Sequence, residues 1–458
     1  MSRLIEHDKY FIAKEAESLP SYTVYPRLEK LPTLLKPNDL EYARALKHSR
    51  LKKKPLALYI YIPFCPSNCF TCDRFKISSK DRSRSTQFLN ILKKEIVSTA
   101  KLLDKSQVIE QLFIGGGNPT FFNHQEFSSL LSFLKDYFNI HSDNLVDYEI
   151  KIDPRESDWS TVALLRELGF NRILINIQTL NPIEQTAINR LHTLNQVQTL
   201  VDAARTLEYR SICLTLMYGL PKQTRTSYAE SLDKIIALQP DRIGAKAFLY
   251  DIENSPVQRF INKDDLPSEQ LRHEMYLYTF ERLTSANYSY LGQGLYARSD
   301  DNYGSAKEDD RLKINALGYS DHGHCDLIGF GPNAITQTET FIGQNTTNLS
   351  HYYNLIENGH FPLEKALTYT ADDIIRRDLI EQIQCHGKLD IKKLNEKYNI
   401  AFEIYFKNEL SSLYLLEQKN LLSINSNLLI LNSKALHIPE LICQIFDHYQ
   451  SATQSTNN

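Results

Sequence analysis

The sequence lacks the features that mark membrane, secreted and nucleic-acid-binding proteins. Its 458 residues contain no apolar run long enough to cross a bilayer, and residues 1–13 are polar and charged rather than signal-like. Lysine and arginine number 52 against 55 aspartate and glutamate, so a net charge of -3 provides no basic field for nucleic acid. Seven cysteines are too sparse for a secreted disulfide framework. We expect a cytoplasmic protein with no nucleic-acid partner and no membrane span.

The sequence does contain a regular alternation of strand-like and helix-like segments. Six runs of β-branched or aromatic residues are each followed by an amphipathic segment, which predicts consecutive βα units and a parallel sheet. The runs are residues 56–62, 111–114, 148–152, 172–177, 212–217 and 242–248. We expect an α/β fold built as a partial (β/α)6 barrel, although an open doubly wound sheet has the same linear pattern.

The chain is too long for one small core, and its character changes at two places. Residues 1–54 form an N-terminal extension that carries the aromatic segment Ser-Tyr-Thr-Val-Tyr-Pro at 21–26. Residues 55–346 contain the predicted barrel. Residues 347–458 read as a smaller, mainly helical C-terminal domain with a polar tail at 451–458.

A cysteine motif follows directly after the first predicted strand. Cys65, Cys69 and Cys72 have the spacing C-x3-C-x2-C. Iron-sulfur clusters normally take four thiolates, so three neighbouring cysteines leave one iron of a [4Fe-4S] cluster free for chemistry. A structural zinc site completed by a distant histidine, or an accidental grouping, would produce the same spacing. The position at the carboxyl end of a parallel strand favours a functional site.

The motif and its strand resemble those of radical S-adenosylmethionine enzymes, and the context Tyr-x-x-Ile-Pro-Phe resembles the oxygen-independent coproporphyrinogen III oxidase family. Further matching segments lie at residues 21–26, 115–120, 153–156, 169–172, 218–224, 318–336, 372–380 and 446–449. The resemblance implies a cluster that reduces S-adenosylmethionine, removal of hydrogen from a propionate, and loss of carbon dioxide. Coproporphyrinogen III would become protoporphyrinogen IX in heme biosynthesis. It also implies a monomer served by an electron donor such as flavodoxin or ferredoxin.

The resemblance also implies a set of cofactor contacts beside the three cysteine ligands, while no catalytic residue is assigned. Gly116 and Gly117 end the second strand, where the lack of a Cβ can bring the backbone against the nucleotide. Alone, a glycine triplet is more often an ordinary tight turn. The other implied contacts, each with an ordinary structural explanation as well, are Tyr59, Gln178, Arg190 and Ile335.

Several positions depart from the family pattern. Lys151 stands where the family has a cofactor-binding Glu, Thr215 where it has an Asp, Leu249 where it has an Ala, and Asn118 where it has a Thr. The reversed charge at Lys151 predicts weaker binding of a sulfonium cation. Two alternatives therefore stay open: a radical enzyme for another tetrapyrrole, and a non-catalytic heme or porphyrin-binding paralogue.

Other departures from the family pattern, and one further group of side chains, have less effect on the predicted function. Arg74 replaces a fourth cysteine that the cluster does not need, and Tyr61 replaces a common His. Substitutions at residues 294–295 and 316–317 indicate that a second S-adenosylmethionine site is altered or lost. Tyr22 and Tyr25 are expected to cover the barrel mouth. A group of possible metal ligands, His322, His324 and Cys325, is interpreted as part of a Gly-rich segment that supplies backbone rather than ligands.

Overall fold

The predicted alternation of strands and helices is present in the computed structural model, which describes residues 14–15, 19–140 and 146–450. The predicted polar tail lies outside these residues. The first part of the fold consists, in chain order, of α1 (Asp39–Lys52), β1 (Leu56–Ile62), β2 (Phe64–Cys65), β3 (Ile77–Ser78), α2 (Arg84–Ala100), β4 (Val108–Gly116), α3 (His124–Tyr137), β5 (Asn139–Ile140), β6 (Asp147–Ile152), α4 (Trp159–Glu167), β7 (Arg172–Gln178), α5 (Pro182–Ala187), α6 (Leu194–Thr206), β8 (Ser211–Tyr218), α7 (Arg225–Ala237) and β9 (Arg242–Ala247).

The second part extends the sheet and then forms a helical unit. Its elements are α8 (Glu269–Ser285), β10 (Tyr288–Gly292), β11 (Leu295–Arg298), α9 (Asn302–Glu308), β12 (Lys313–Asn315), β13 (Gly318–Ser320), β14 (Asp326–Phe330), β15 (Ile335–Gln337), β16 (Phe341–Asn345), α10 (Leu349–Glu357), β17 (Leu363–Thr368), α11 (Ala371–His386), β18 (Lys388–Asp390), α12 (Ile391–Tyr398), α13 (Phe402–Tyr405), α14 (Lys407–Gln418), β19 (Leu422–Ile424), β20 (Leu428–Leu431) and α15 (Glu440–Cys443). Short 3-10 turns occur at Leu28–Lys30, Pro119–Phe121, Pro256–Phe260, Lys263–Asp265, Ala435–His437 and Gln444–Phe446. None of the helices in the described ranges is long and apolar enough to cross a bilayer.

All six predicted strands are confirmed and pair side by side. The main sheet has the order β10-β11-β9-β8-β7-β6-β4-β1-β14-β15-β16-β17, and the pairs from β9 to β14 are parallel. The sequence did not predict β14 as a strand, because its glycines resemble a turn-rich segment. It pairs with β1 from the register Leu56↔Asp326 onward. Capping boxes at residues such as Asn123, Thr193 and Thr224 begin the helices that follow strands.

The two faces of β1 pack against different groups of side chains, because successive residues of a strand point to opposite sides of the sheet. Leu58, Ile60 and neighbouring outward residues are buried against the helices in the largest core, where each such side chain contributes about 1.5–3 kcal/mol. Ala57, Tyr59 and Tyr61 belong to a smaller apolar group on the other face. The inner face of the parallel sheet is therefore lined by aromatic side chains.

Tyr22 and Tyr25 pack in a second core, together with helices and strands between Ile375 and Phe446. The Tyr22 hydroxyl donates to Asp447 Oδ2 at 2.9 Å, and the Tyr25 hydroxyl accepts from the backbone N–H of His448 at 3.3 Å. Both side chains are fully buried. The expectation that they cover the barrel mouth is wrong, because they lie beside Lys54 and Asp326 at the amino ends of β1 and β14, away from the cysteine loop at the carboxyl end of β1.

The boundaries of the predicted domains are not marked by breaks in the sheet. The main sheet runs on to Thr368, beyond the expected division at residue 346. The helices and short strands that follow it form the second core, which also takes in the aromatic segment of the N-terminal extension. The division of the chain into three parts stays a prediction.

Candidate active site

The cysteine loop is held against the carboxyl end of β1 by a short parallel pairing. Cys65 ends β2, which pairs with β3, and the backbone N–H of Ser79 donates to the Cys65 carbonyl at 3.0 Å. The three thiols of Cys65, Cys69 and Cys72 line one cavity. The loop therefore brings together the three predicted ligands.

Cys69 is surrounded by cations. The guanidinium of Arg155 lies 3.2 Å from its Sγ, and that of Arg190 lies 3.5 Å from it. Asp153 joins the two arginines, with oxygen-nitrogen distances of 2.7 Å to Arg155 and 2.9 Å to Arg190. Burial opposes ionisation of Cys69, but the two arginines outweigh it and lower the pKa of the thiol. The site favours a thiolate at Cys69, the form that ligates metal.

The pKa values of Cys65 and Asp153, which lie near Cys69, are shifted by different balances of burial and charge. Burial raises the pKa of Cys65. Burial also opposes the charge on Asp153, yet Arg190 and Arg155 lower the pKa of that carboxyl. Arg190 additionally donates to the carbonyls of Ile177 and Asn176 at the end of β7. The carboxyl ends of β6 and β7 thus fix the cations that face the cysteine loop.

The glycine turn packs against the cysteine loop itself. Gly116 has φ +97°, and a Cβ there would lie 2.7 Å from the Ile62 carbonyl. A Cβ on Gly117 would lie 2.6 Å from the Phe64 carbonyl, and its N–H donates to the Ile62 carbonyl at 2.8 Å. Glycine is required here for close approach of two backbones. Because the Gly117 N–H has this partner, the carbonyls rather than that N–H face the cavity.

Lys151 meets those carbonyls. Its Nζ lies 3.3 Å from the carbonyl oxygens of Gly116 and Gly117. Burial and the nearby Arg74 lower the pKa of Lys151 to about 8. Thr215, the second departure, donates to the Asn176 side chain at 3.0 Å. The predicted charge reversal is therefore located in the cavity of the cysteines.

Two polar side chains complete the wall. Gln178 has φ +76°, an uncommon conformation for a residue other than glycine, and its Oε1 accepts from Thr71 of the cysteine loop at 2.9 Å. Asn118 Nδ2 is buried and has no hydrogen-bond partner within the described part of the chain. A buried donor of this kind is available to a bound group.

Seven of the nine predicted ligands and cofactor contacts line this cavity: Cys65, Cys69, Cys72, Gly116, Gly117, Gln178 and Arg190. Tyr59 lies deeper on the inner face of β1, with its ring 5.7 Å from that of Phe113. Ile335 packs in an apolar group with Val24 and Ile342. The structure does not place these two in the same cavity, and their roles stay predictions.

Sequence reasoning assigned no role to Asp153 and Arg155, although their segment matches the family. Arg155 is 86 residues from Cys69 in the chain, so spacing gave no sign of their contact. The available signal was their position immediately after β6, at the edge of the sheet where β1 carries the cysteines.

Comparison with known proteins identifies the family. A family model described as the Radical SAM superfamily matches residues 59–235. An oxygen-independent coproporphyrinogen III oxidase of Pseudomonas aeruginosa is 40% identical over 97% of this chain and 96% of its own length. The chain belongs to the oxygen-independent coproporphyrinogen III oxidase family. The family member of the same name from Escherichia coli is 32% identical over 97% of this chain and 96% of its own length.

A solved structure agrees with this membership. The coproporphyrinogen III oxidase of Escherichia coli, described as a radical SAM enzyme, superimposes with a TM-score of 0.89 at 31% identity. The match covers 93% of this family member and 97% of the other chain. The predicted resemblance and the predicted α/β fold of radical SAM type are confirmed.

Proposed function

We propose that this chain is a radical S-adenosylmethionine enzyme that oxidatively decarboxylates propionates of coproporphyrinogen III to vinyl groups, giving protoporphyrinogen IX. The observation that carries the proposal is the cavity at the carboxyl ends of β1, β4, β6 and β7, where three cysteines meet Gly116, Gly117, Gln178 and Arg190. Family membership over nearly the whole chain supports the same reaction.

The side chains fit a [4Fe-4S] cluster. Cys65, Cys69 and Cys72 would hold it, and the cations around Cys69 suit a group that carries thiolate charge. When bound, the cluster supplies the electron that cleaves S-adenosylmethionine, which makes removal of hydrogen from the substrate possible. The orphaned donor at Asn118 provides an open hydrogen-bond position in the same cavity.

The remaining residues of the cavity position the cysteine loop and enclose the site. Asp153 fixes the two arginines at Cys69, the glycine turn brings β4 against the cysteine loop, and Gln178 ties β7 to that loop. Tyr59 and Ile335 stay proposed cofactor contacts. We further propose that the protein is a monomer, that it receives electrons from a flavodoxin or ferredoxin, and that it lies in the cytoplasm. The seven cysteines are free, which suits a reducing compartment.

The test is anaerobic turnover by reconstituted protein. We expect cleavage of S-adenosylmethionine to 5'-deoxyadenosine, followed by conversion of coproporphyrinogen III to a product with the mass of protoporphyrinogen IX. Cys69→Ala should lose iron, sulfide and both reactions. Cys213→Ala, which changes a buried cysteine on β8, is the matched control and should retain them.

The outcomes separate the alternatives. Cleavage without turnover of coproporphyrinogen III would favour another tetrapyrrole, a possibility that the cation at Lys151 keeps open. Absence of cleavage combined with tight porphyrin binding would favour a non-catalytic binder. Bound zinc without sulfide in anaerobically purified protein would overturn the cluster assignment.

A further inference from the structure

A second group of metal-binding side chains lies near the amino ends of strands β4 and β14. Glu110 is the third residue of β4, and His324 and Cys325 directly precede β14. One carboxylate oxygen, Glu110 Oε2, lies 2.8 Å from His324 Nε2 and 3.6 Å from Cys325 Sγ. The donor atoms of these three residues all lie within 4.8 Å of one another. Residues far apart in the chain thus converge on one point.

A fourth side chain points to the same oxygen. His322 Nδ1 lies 3.2 Å from Glu110 Oε2, while its Nε2 lies 3.2 Å from Asp147 Oδ2. Asp147 is buried and is held by Arg172 at 2.7 Å. A histidine whose second nitrogen contacts a fixed carboxylate is the usual arrangement around metal-bound histidines, because the carboxylate sets the tautomer and the ring orientation.

We propose that Glu110, His324 and Cys325 bind a Zn²⁺ ion, and that His322, which contacts the Glu110 oxygen but lies outside this cluster of donor atoms, turns toward the ion as a fourth ligand. A mixed set of carboxylate, imidazole and thiolate donors suits zinc, whereas magnesium and calcium prefer oxygen ligands. Bonds of about 2.0–2.3 Å in tetrahedral geometry separate neighbouring donors by roughly 3.3–3.6 Å. The separations of His322 and Cys325 from the Glu110 oxygen, 3.2 and 3.6 Å, lie close to this range, while the 2.8 Å contact of His324 is a hydrogen-bond length that lengthens when an ion enters between the two groups. Binding would release the Cys325 proton to solvent.

The sequence-based interpretation set these histidines and Cys325 aside as part of a Gly-rich segment that supplies backbone, and nothing in the sequence pointed to Glu110, which is distant in the chain. The strand order explains the convergence: β1 lies between β4 and β14, so the metal would join the two strands on either side of it. His324 and Cys325 also line a cavity of about 200 Å³ beside Tyr22 and Lys54, which gives an ion access from solvent.

This site is separate from the cysteine loop. β1 rises about 3.3 Å per residue, so its two ends are roughly 20 Å apart, with the loop at one end and Cys325 near the other. The inference therefore does not depend on the proposed function, and either one can fail alone.

The experiment measures zinc and iron in the same protein. Anaerobically reconstituted protein is dialysed against a weak chelator, its metals are counted by mass spectrometry, and its Zn²⁺ affinity is measured by competition with a chromophoric chelator. We expect about one zinc per chain. His324→Ala and Cys325→Ser should weaken zinc binding by at least about tenfold and leave iron unchanged. His324 is largely exposed, so its loss should not unfold the chain.

Matched variants locate the ion. Combined Cys65→Ala, Cys69→Ala and Cys72→Ala should lose iron and keep zinc, whose X-ray absorption should show one sulfur at about 2.3 Å with nitrogen and oxygen at about 2.0 Å. His351→Ala and Cys213→Ser change the same residue types elsewhere and should alter neither metal. The proposal is overturned if zinc is absent, if it is lost with the three loop cysteines, or if it survives His324→Ala.

Discussion

Lys151 is the single residue whose charge we expect to affect binding of the proposed cofactor most. Its ammonium group contacts two carbonyls of the glycine turn, in the cavity that the three cysteines share. Within the described part of the chain, it does not lie within ion-pair distance of Glu149 or Asp153, so neither carboxylate neutralises it directly. If S-adenosylmethionine occupies this cavity as proposed, its sulfonium lies near a cation, and we expect a cost of up to a few kcal/mol.

The first prediction concerns this charge. Lys151→Met should tighten S-adenosylmethionine binding, and Lys151→Glu should tighten it further, by about tenfold or 1.4 kcal/mol relative to the wild type. Thr215→Asp should have a smaller effect, since it adds one charge where Lys151→Glu reverses one. Anaerobic calorimetry on cluster-loaded protein measures the series.

The pH dependence provides the control. The pKa of Lys151 is lowered to about 8, so wild-type affinity should rise between pH 7 and pH 9 as the lysine loses its charge. Lys151→Met should lack this rise. If the double variant that combines Lys151→Glu with Thr215→Asp binds no tighter than the wild type, Lys151 does not face the sulfonium.

The second prediction concerns a histidine that packs against an aromatic ring. The ring of His437 lies edge-on to Phe280 at 4.2 Å, and burial lowers its pKa to about 4. Since an unfolded histidine has a pKa of about 6.5, unfolding takes up a proton between these values. The contribution of His437 to the free energy of unfolding should therefore be fully present above pH 6.5. It should decrease as the pH falls toward 4, with a loss of about 2 kcal/mol at pH 5.

Replacement isolates this contribution. His437→Phe keeps an aromatic ring against Phe280 and should lose less stability than wild type between pH 7.5 and pH 5, measured by urea unfolding. His351→Asn, at an exposed position on α10, should follow the wild-type curve. Equal pH dependence in wild type and His437→Phe would show that folding does not lower the pKa of His437.

At the scale of elements, strands were easier to predict from sequence than their partners. The six runs from 56–62 to 242–248 were recognisable because they contain β-branched or aromatic residues and are each followed by an amphipathic segment. β14 was not, since Gly329 and Gly331 suggest a turn; a Cβ on Gly329 would lie 2.4 Å from the Ile335 carbonyl, so the strand needs a glycine there. The glycine marks close approach of two strands, which is a property of the fold.

In the candidate site, too, some residues were predicted from sequence and others were not. Spacing singled out the three cysteines, their position after β1 and the family resemblance indicated a cluster, and the resemblance also supplied Gly116, Gly117, Gln178 and Arg190. The Asp153–Arg155 ion pair was not predicted, because its value depends on the position of β6 relative to the loop after β1. Tyr22 was misjudged for a related reason: nothing in the local pattern indicates its contact with Asp447, 425 residues away.

The third prediction tests that contact between the N-terminal segment and the C-terminal core. Tyr22→Phe keeps the buried ring but removes the donor to Asp447, and should cost about 1–3 kcal/mol. Tyr22→Ala also leaves a cavity and should cost about 3–5 kcal/mol. Thermal unfolding measures both, and limited proteolysis should show earlier cleavage within residues 371–446. Iron content should stay unchanged, and its loss would contradict a purely structural role.

At the scale of the whole molecule, the cysteine loop is a small attachment to a large sheet. β2 and β3 form their own two-stranded pairing, apart from the main sheet. Outward residues of β1 and β4 are buried with the helices in the largest core, to which the three cysteines do not belong. Folding of the main sheet should therefore not require the cluster.

The last prediction follows from this separation and uses hydrogen exchange of cluster-loaded protein and of Cys69→Ala. Without the cluster, faster exchange should be confined to residues 64–79 and to the segments that carry Arg155 and Arg190, because these cations lose the thiolate of Cys69 that they contact. Amides of β1, β4 and β14 should keep their protection, since their ladder bonds and apolar burial are unchanged. Cys213→Ala, reconstituted in parallel, controls for the loss of a buried thiol. Loss of protection throughout the main sheet would mean that the cluster organises the whole fold, and the sheet could no longer be regarded as a preformed frame for the site.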